Sequence, residues 1–195
     1  MIAAVGACLS VALVAGDAGA FTVNITARNP RTIYLQVGVG TFTGGTYNAG
    51  GSVTVPAAQV GSGTAQAMTT NSTASQSLYD NYTFCNLPGQ LYIGGFYRST
   101  SNTGAATLRA TSPANLVNST GNMIPFNQIR WTSSGNGDTG AQPFPAGTFV
   151  GGAQTIGSIN RNQWAESCHT FRYANTAVFA SGTYTGRVTY TLSAP

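Results

Sequence analysis

The stretch that decides the fold is QLYIGGFY, residues 90–97. Its residues are apolar or aromatic on both of its alternating faces. A strand of that kind needs cover on both sides, which predicts a central position in a sheet. The Gly94-Gly95 pair in its middle predicts a bulge or a close approach by a neighbouring backbone.

Working outward, a period of two recurs along the chain. FTVNITAR (21–28) places Phe21, Val23, Ile25 and Ala27 on one face, and TIYLQVGV (32–39) does the same with Ile33, Leu35, Val37 and Val39. SVTV (52–55), LYDNYTF (78–84), ATLRA (106–110), QIRWTS (128–133), AQTIGSI (153–159), SCHTFRY (167–173), TAVFA (176–180) and GRVTYTL (186–192) continue the series. Turn signals rich in Gly, Asn and Pro separate them, among them Asn29-Pro30 and Gly135-Asn-Gly137. SPANLVN (112–118) is read as a short helical turn, and the polar segment 61–77 as a surface loop. About ten short strands without a convincing helix predict an all-β chain, an antiparallel β-sandwich. Residues 21–195 form its single domain.

Composition narrows the function. Charged residues make up 6% of the chain, far below the roughly 25% of ordinary soluble domains. All eight basic residues are Arg. Without Lys, a Lys–Asn isopeptide crosslink is chemically impossible. The Arg residues are scattered, and a nucleic-acid footprint needs a basic stripe, so no nucleic-acid partner is expected.

Residues 1–20 read as a secretory signal peptide. The apolar core is too short to span a bilayer, and Ala18-Gly19-Ala20 supplies the small-residue cleavage pattern. The exported chain would begin at Phe21, pass the periplasm, reach the cell surface and insert stably in no membrane. Cleavage removes Cys8 and leaves Cys85 and Cys168. In an oxidising compartment these are expected to form one disulfide, closing a loop of 83 residues.

Catalysis finds little material. The acids outside the leader are Asp80, Asp138 and Glu166, and His169 is the one histidine. Cys168 and His169 are adjacent on a predicted strand and point to opposite faces, which rules against a Cys/His nucleophile. His169 is read as a surface residue beside a buried Cys. One His and two Cys make no zinc set, and no phosphate-binding loop precedes a helix. The reading is of a chain that is not an enzyme, with no catalytic, cofactor or metal residues. An aromatic row of Tyr79, Tyr82, Tyr92 and Tyr97 would suit sugar stacking if exposed, and packing between sheets if not.

GTYTGRVTYTL (182–192) resembles the last strand of secreted pilin subunits of Gram-negative chaperone–usher systems. It is most similar to the spore coat protein U-like, or archaic, pilins, through Gly182, Thr183, Tyr184, Val188, Thr189, Tyr190 and Thr191. The segment FTVNITA resembles their alternating N-terminal donor segment. The resemblance implies an incomplete immunoglobulin-like sandwich, completed first by a periplasmic chaperone and then by a strand from another subunit at an outer-membrane usher. It implies donor residues Phe21, Val23, Ile25 and Ala27, of which the first three would bury about 5–9 kcal/mol of side chain. It implies a groove-edge strand with Val188, Tyr190 and Leu192 facing the core. Phe21–Arg28 reads equally as the domain's own first strand. Two functions follow: a structural subunit of a fimbria or coat, or a secreted surface-binding module such as an adhesin or glycan binder.

Overall fold

The computed structural model describes residues 22–39, 50–101, 103–138 and 140–195. The leader reading, Phe21 and the run 40–49 lie outside the described residues. The chain is all-β and its strand pairs are antiparallel. In order the strands are β1 (Thr22–Asn24), β2 (Thr32–Val37), β3 (Gly51–Ser52), β4 (Gln66–Ala67), β5 (Thr69–Thr70), β6 (Leu91–Arg98) and β7 (Ala105–Thr111). They continue with β8 (Asn115–Val117), β9 (Met123–Pro125), β10 (Ile129–Ser134), β11 (Gly147–Thr148), β12 (Ala153–Asn160), β13 (Gln163–Tyr173) and β14 (Thr189–Ser193). Two single 3-10 turns, Ala57–Gln59 and Phe126–Gln128, are the helical pieces among the described residues.

The larger sheet runs β11-β10-β13-β6-β2, with β1 and β4 added along β13. The smaller runs β12-β7-β14. The two layers enclose the main core: Leu91, Ile93 and Tyr97 from β6, Trp131 and Phe171 from the larger sheet, and Leu108, Ile159 and Leu192 from the smaller. The opposite face of β6 and β13 carries a second core of Tyr92, Trp164, Phe84, Cys85 and Cys168. This is why QLYIGGFY is apolar on both faces: β6 is central in the larger sheet and is covered on both sides.

The glycine pair is a close approach. A Cβ on Gly95 would lie 2.4 Å from the Tyr34 carbonyl oxygen, and one on Gly94 would lie 2.3 Å from the Tyr92 hydroxyl. The disulfide expected from sequence is present, with Cys85 and Cys168 bonded across a Cα separation of 5.6 Å. It ties the segment before β6 to the middle of β13.

Several expectations are corrected. SPANLVN is not helical: its Asn115–Val117 forms β8, paired with β9 in a small hairpin. TAVFA forms no strand, and its Val178 is exposed. LYDNYTF holds a turn and one isolated bridge, Gln76 to Thr83. Of SVTV only Ser52 is in a strand.

The segment 61–77 is not simply a surface loop. Thr70, Ser72 and Ser77 are buried. Thr70 donates to the Gln90 carbonyl at 3.0 Å and Ser72 to the Gly38 carbonyl at 2.7 Å. Hydroxyls satisfied by backbone carbonyls let a polar run pass through the interior.

Candidate functional site

The predicted groove-edge strand lies where two layers meet. On β14 and the residues flanking it, Val188 and Tyr190 are half-buried and Leu192 is buried, while Thr189, Thr191 and Ser193 are exposed. The first three pack on the main core. The alternation follows from one face meeting the core and the other meeting water. β14 pairs with β7 alone among the described residues, from Thr189 opposite Thr111 to Ser193 opposite Thr107. Its other edge approaches β2, whose one strand neighbour among the described residues is β6.

The two strands do not pair across this seam. Arg31, just before β2, closes one end of it. Its Nη1 donates to the Ala194 carbonyl at 3.2 Å and to the Pro195 oxygen. Along the rest, the core-facing row of β2 is incompletely covered: Ile33 is 46% exposed, and Leu35 and Val37 are half-buried. The seam thus has the partly covered apolar row Ile33, Leu35 and Val37 on one side and Val188 and Tyr190 on the other. The β2 row was legible as alternation, but its incomplete cover was not.

The N-terminal segment carries the predicted alternation. Val23, Ile25 and Ala27 are half-buried, and Thr22, Asn24 and Thr26 are exposed. Of the two readings open for this segment, the structure places β1 on its own chain. Thr22, Val23 and Asn24 pair with Ala165, Trp164 and Gln163 of β13, and Ile25 N–H donates to the Asn162 carbonyl at 2.8 Å. Val23 and Ile25 pack on the second core. In this conformation the segment does not reach the β14 seam. The pairing is three residues long and lies at a sheet edge.

The titratable residues are placed structurally. Asp80 accepts from the Tyr82 N–H at 3.0 Å, and Asp138 from the Gly140 N–H at 2.8 Å and the Gln142 side chain at 3.1 Å. Glu166 is buried and accepts from the Tyr92 hydroxyl at 2.6 Å. Burial pushes its carboxyl pKa up, with Asp80 adding to the effect, against hydrogen bonds from Tyr92, Trp164 and Ser77. Burial, foremost, and the facing Glu166 push the Tyr92 hydroxyl far up.

His169 is not on the surface: it is buried in the main core, stacked on Trp131, with Nε2 3.0 Å from the Phe144 carbonyl. Desolvation lowers its pKa to about 4. Of the tyrosine row, Tyr92 and Tyr97 are buried and only Tyr79 and Tyr82 are exposed, so no four-ring platform forms. Among the described residues no three His, Cys, Asp or Glu side chains converge as a metal set, and no helix is long and apolar enough to cross a membrane.

No protein-family model, no curated protein and no solved structure matches the chain.

Proposed function

We propose that this chain is a structural subunit of a secreted fimbria or surface coat, built by strand addition between chains. The observation that supports it is the apolar seam between β14 and β2, two sheet edges that approach without pairing. An unpaired edge beside uncovered core residues is a template for a further strand. An extended segment laid there would pair its backbone with β14 and point every second side chain at Ile33, Leu35 and Val188. On this reading the domain is an immunoglobulin-like sandwich that lacks one strand.

The donor in this reading is the segment from Phe21 to Ala27 of another copy, whose every second residue is apolar. Assembly then requires β1 to leave β13 of its own chain. A periplasmic chaperone would hold the seam before assembly at an outer-membrane usher.

The test is to lock β1 in place. Asn24 and Gln163 face each other across the β1–β13 pair, with the Gln163 amide donating to Asn24 Oδ1 at 3.2 Å. The double variant Asn24→Cys/Gln163→Cys should stay monomeric when the new disulfide is oxidised. It should form fibres, seen by electron microscopy, once that exposed bond is selectively reduced. Equal assembly in both states would remove the donor role from this segment.

A further inference from the structure

The loop before β6 covers only part of the outer face of the larger sheet. Cover reaches as far as Gln90, whose side-chain amide donates to Ser134 Oγ at 3.1 Å and Thr170 Oγ1 at 3.4 Å. Beyond that row the sheet is open, and two arginines stand there in direct register. Arg130 of β10 is the cross-strand partner of Arg172 of β13, and both are exposed. Thr132 lies opposite Thr170 in the next row on the same face, and Thr148 of β11 faces Arg130. These five side chains rim a hollow of about 300 Å³.

Like charges directly opposite one another are unfavourable on a sheet. Their remaining cross-strand neighbours among the described residues are Thr148 and Ala67, neither of which is an acid. A second copy offers few carboxylates in their place. On such a copy Glu166 is buried, while Asp80 and Asp138 each engage carboxylate oxygens within their own turns. The pair is therefore open to an anionic group from outside the chain.

We propose that the Arg130–Arg172 pair is a binding site for the carboxylate or sulfate groups of an acidic polysaccharide. Each guanidinium presents a planar fork that matches such a group with two hydrogen bonds. Side chains opposite each other in an antiparallel pair stand about 5 Å apart at Cβ, close enough to hold one anionic group between them. The hydroxyls of Thr132 and Thr148 beside them can donate to and accept from sugar hydroxyls. Two charges suit a single anionic group. They fall short of the basic stripe that follows a phosphodiester chain and of the four to eight cationic residues that hold a protein on an anionic membrane. The site does not depend on the fimbrial reading, since this face lies away from the β2–β14 seam.

The experiment measures binding of the chain from residue 21 onward to immobilised dextran sulfate and polygalacturonate, with neutral dextran as control. Single-stranded DNA and anionic phosphatidylserine vesicles serve as competitors. Both acidic polymers are expected to bind and neutral dextran is not. Arg130→Ala and Arg172→Ala should each weaken binding by about tenfold or more, the effect of a lost charge-assisted hydrogen-bonded contact. Arg109→Ala, which removes the same charge from the exposed side of β7, should change it by less than about threefold.

Because a truncation can disturb folding, Arg172→Lys keeps the charge and the stem but loses the fork. It should melt with the wild type and still bind more weakly. The proposal is overturned by equal losses in the Arg109, Arg130 and Arg172 variants, by wild-type affinity in Arg172→Lys, by failure of both acidic polymers to bind, or by DNA or vesicles outcompeting them.

Discussion

Cys168 and His169 are neighbours on β13 that serve opposite faces of one sheet. The Cys168 sulfur is bonded to Cys85 in the second core, while the His169 ring stacks on Trp131 in the main core with centroids 5.7 Å apart. The two-residue period of a strand dictates this division. One strand thereby anchors the cover of one face and fills the sandwich on the other.

His169 makes stability depend on pH. Its folded pKa, about 4, lies below the value of about 6.5 for a free imidazole, so the unfolded chain takes up the proton first. The associated stability is present above about pH 6.5 and is lost as pH falls toward 4. The full loss is about 3 kcal/mol. His169→Phe keeps the stack on Trp131 and removes the proton. Urea unfolding at pH 7 and pH 4.5 should show a smaller drop for the variant than for the wild type, by about 2 kcal/mol. Equal drops would mean that His169 titrates as it does in water.

Glu166 acts with the opposite sign. Its folded pKa is raised, chiefly by burial, so its contribution is full below the ordinary carboxylate range and is lost as pH rises through the folded value. Glu166→Gln retains an acceptor for the Tyr92 hydroxyl and carries no charge. Relative to the wild type, it should gain stability between pH 4 and pH 8 in the same urea measurement. Parallel curves for the two proteins would contradict a raised carboxyl.

Gly95→Ala tests the close approach on β6. The added methyl would meet the Tyr34 carbonyl, which is backbone and cannot rotate away. Overpacking of this kind costs about 1–3 kcal/mol, and here it should also break pairing between β2 and β6. Thermal unfolding would read the loss. Exchange of the Tyr34–Gln36 amides would show whether the pairing is the part lost.

Much of the fold was legible because alternation reports burial directly. ATLRA and AQTIGSI lie within β7 and β12 as read, and all of QLYIGGFY but Gln90 lies within β6. Legibility failed where polarity did not report exposure. Ser72 and Ser77 are buried because hydroxyls can be satisfied inside, and His169 is buried as the neutral ring. TAVFA has the composition of a strand, but it finds no neighbour to pair with in the described sheets. For the candidate sites, the alternation of Val188, Tyr190 and Leu192 was readable. That β14 meets β2 without pairing was not, because register and sheet order depend on contacts distant in sequence. For the same reason Arg130 and Arg172 looked like two scattered charges.

The central claim is that the outer edge of β14 takes a strand from another chain. Hydrogen–deuterium exchange of the chain from residue 21 onward, as monomer and as fibre, measures this directly. Amides of Thr189–Ser193 that face β2 have no strand partner among the described residues and should exchange rapidly in the monomer. In the fibre the same amides should become protected, together with residues 21–27. Unchanged exchange over 189–193 in fibres protected elsewhere would contradict strand addition at β14.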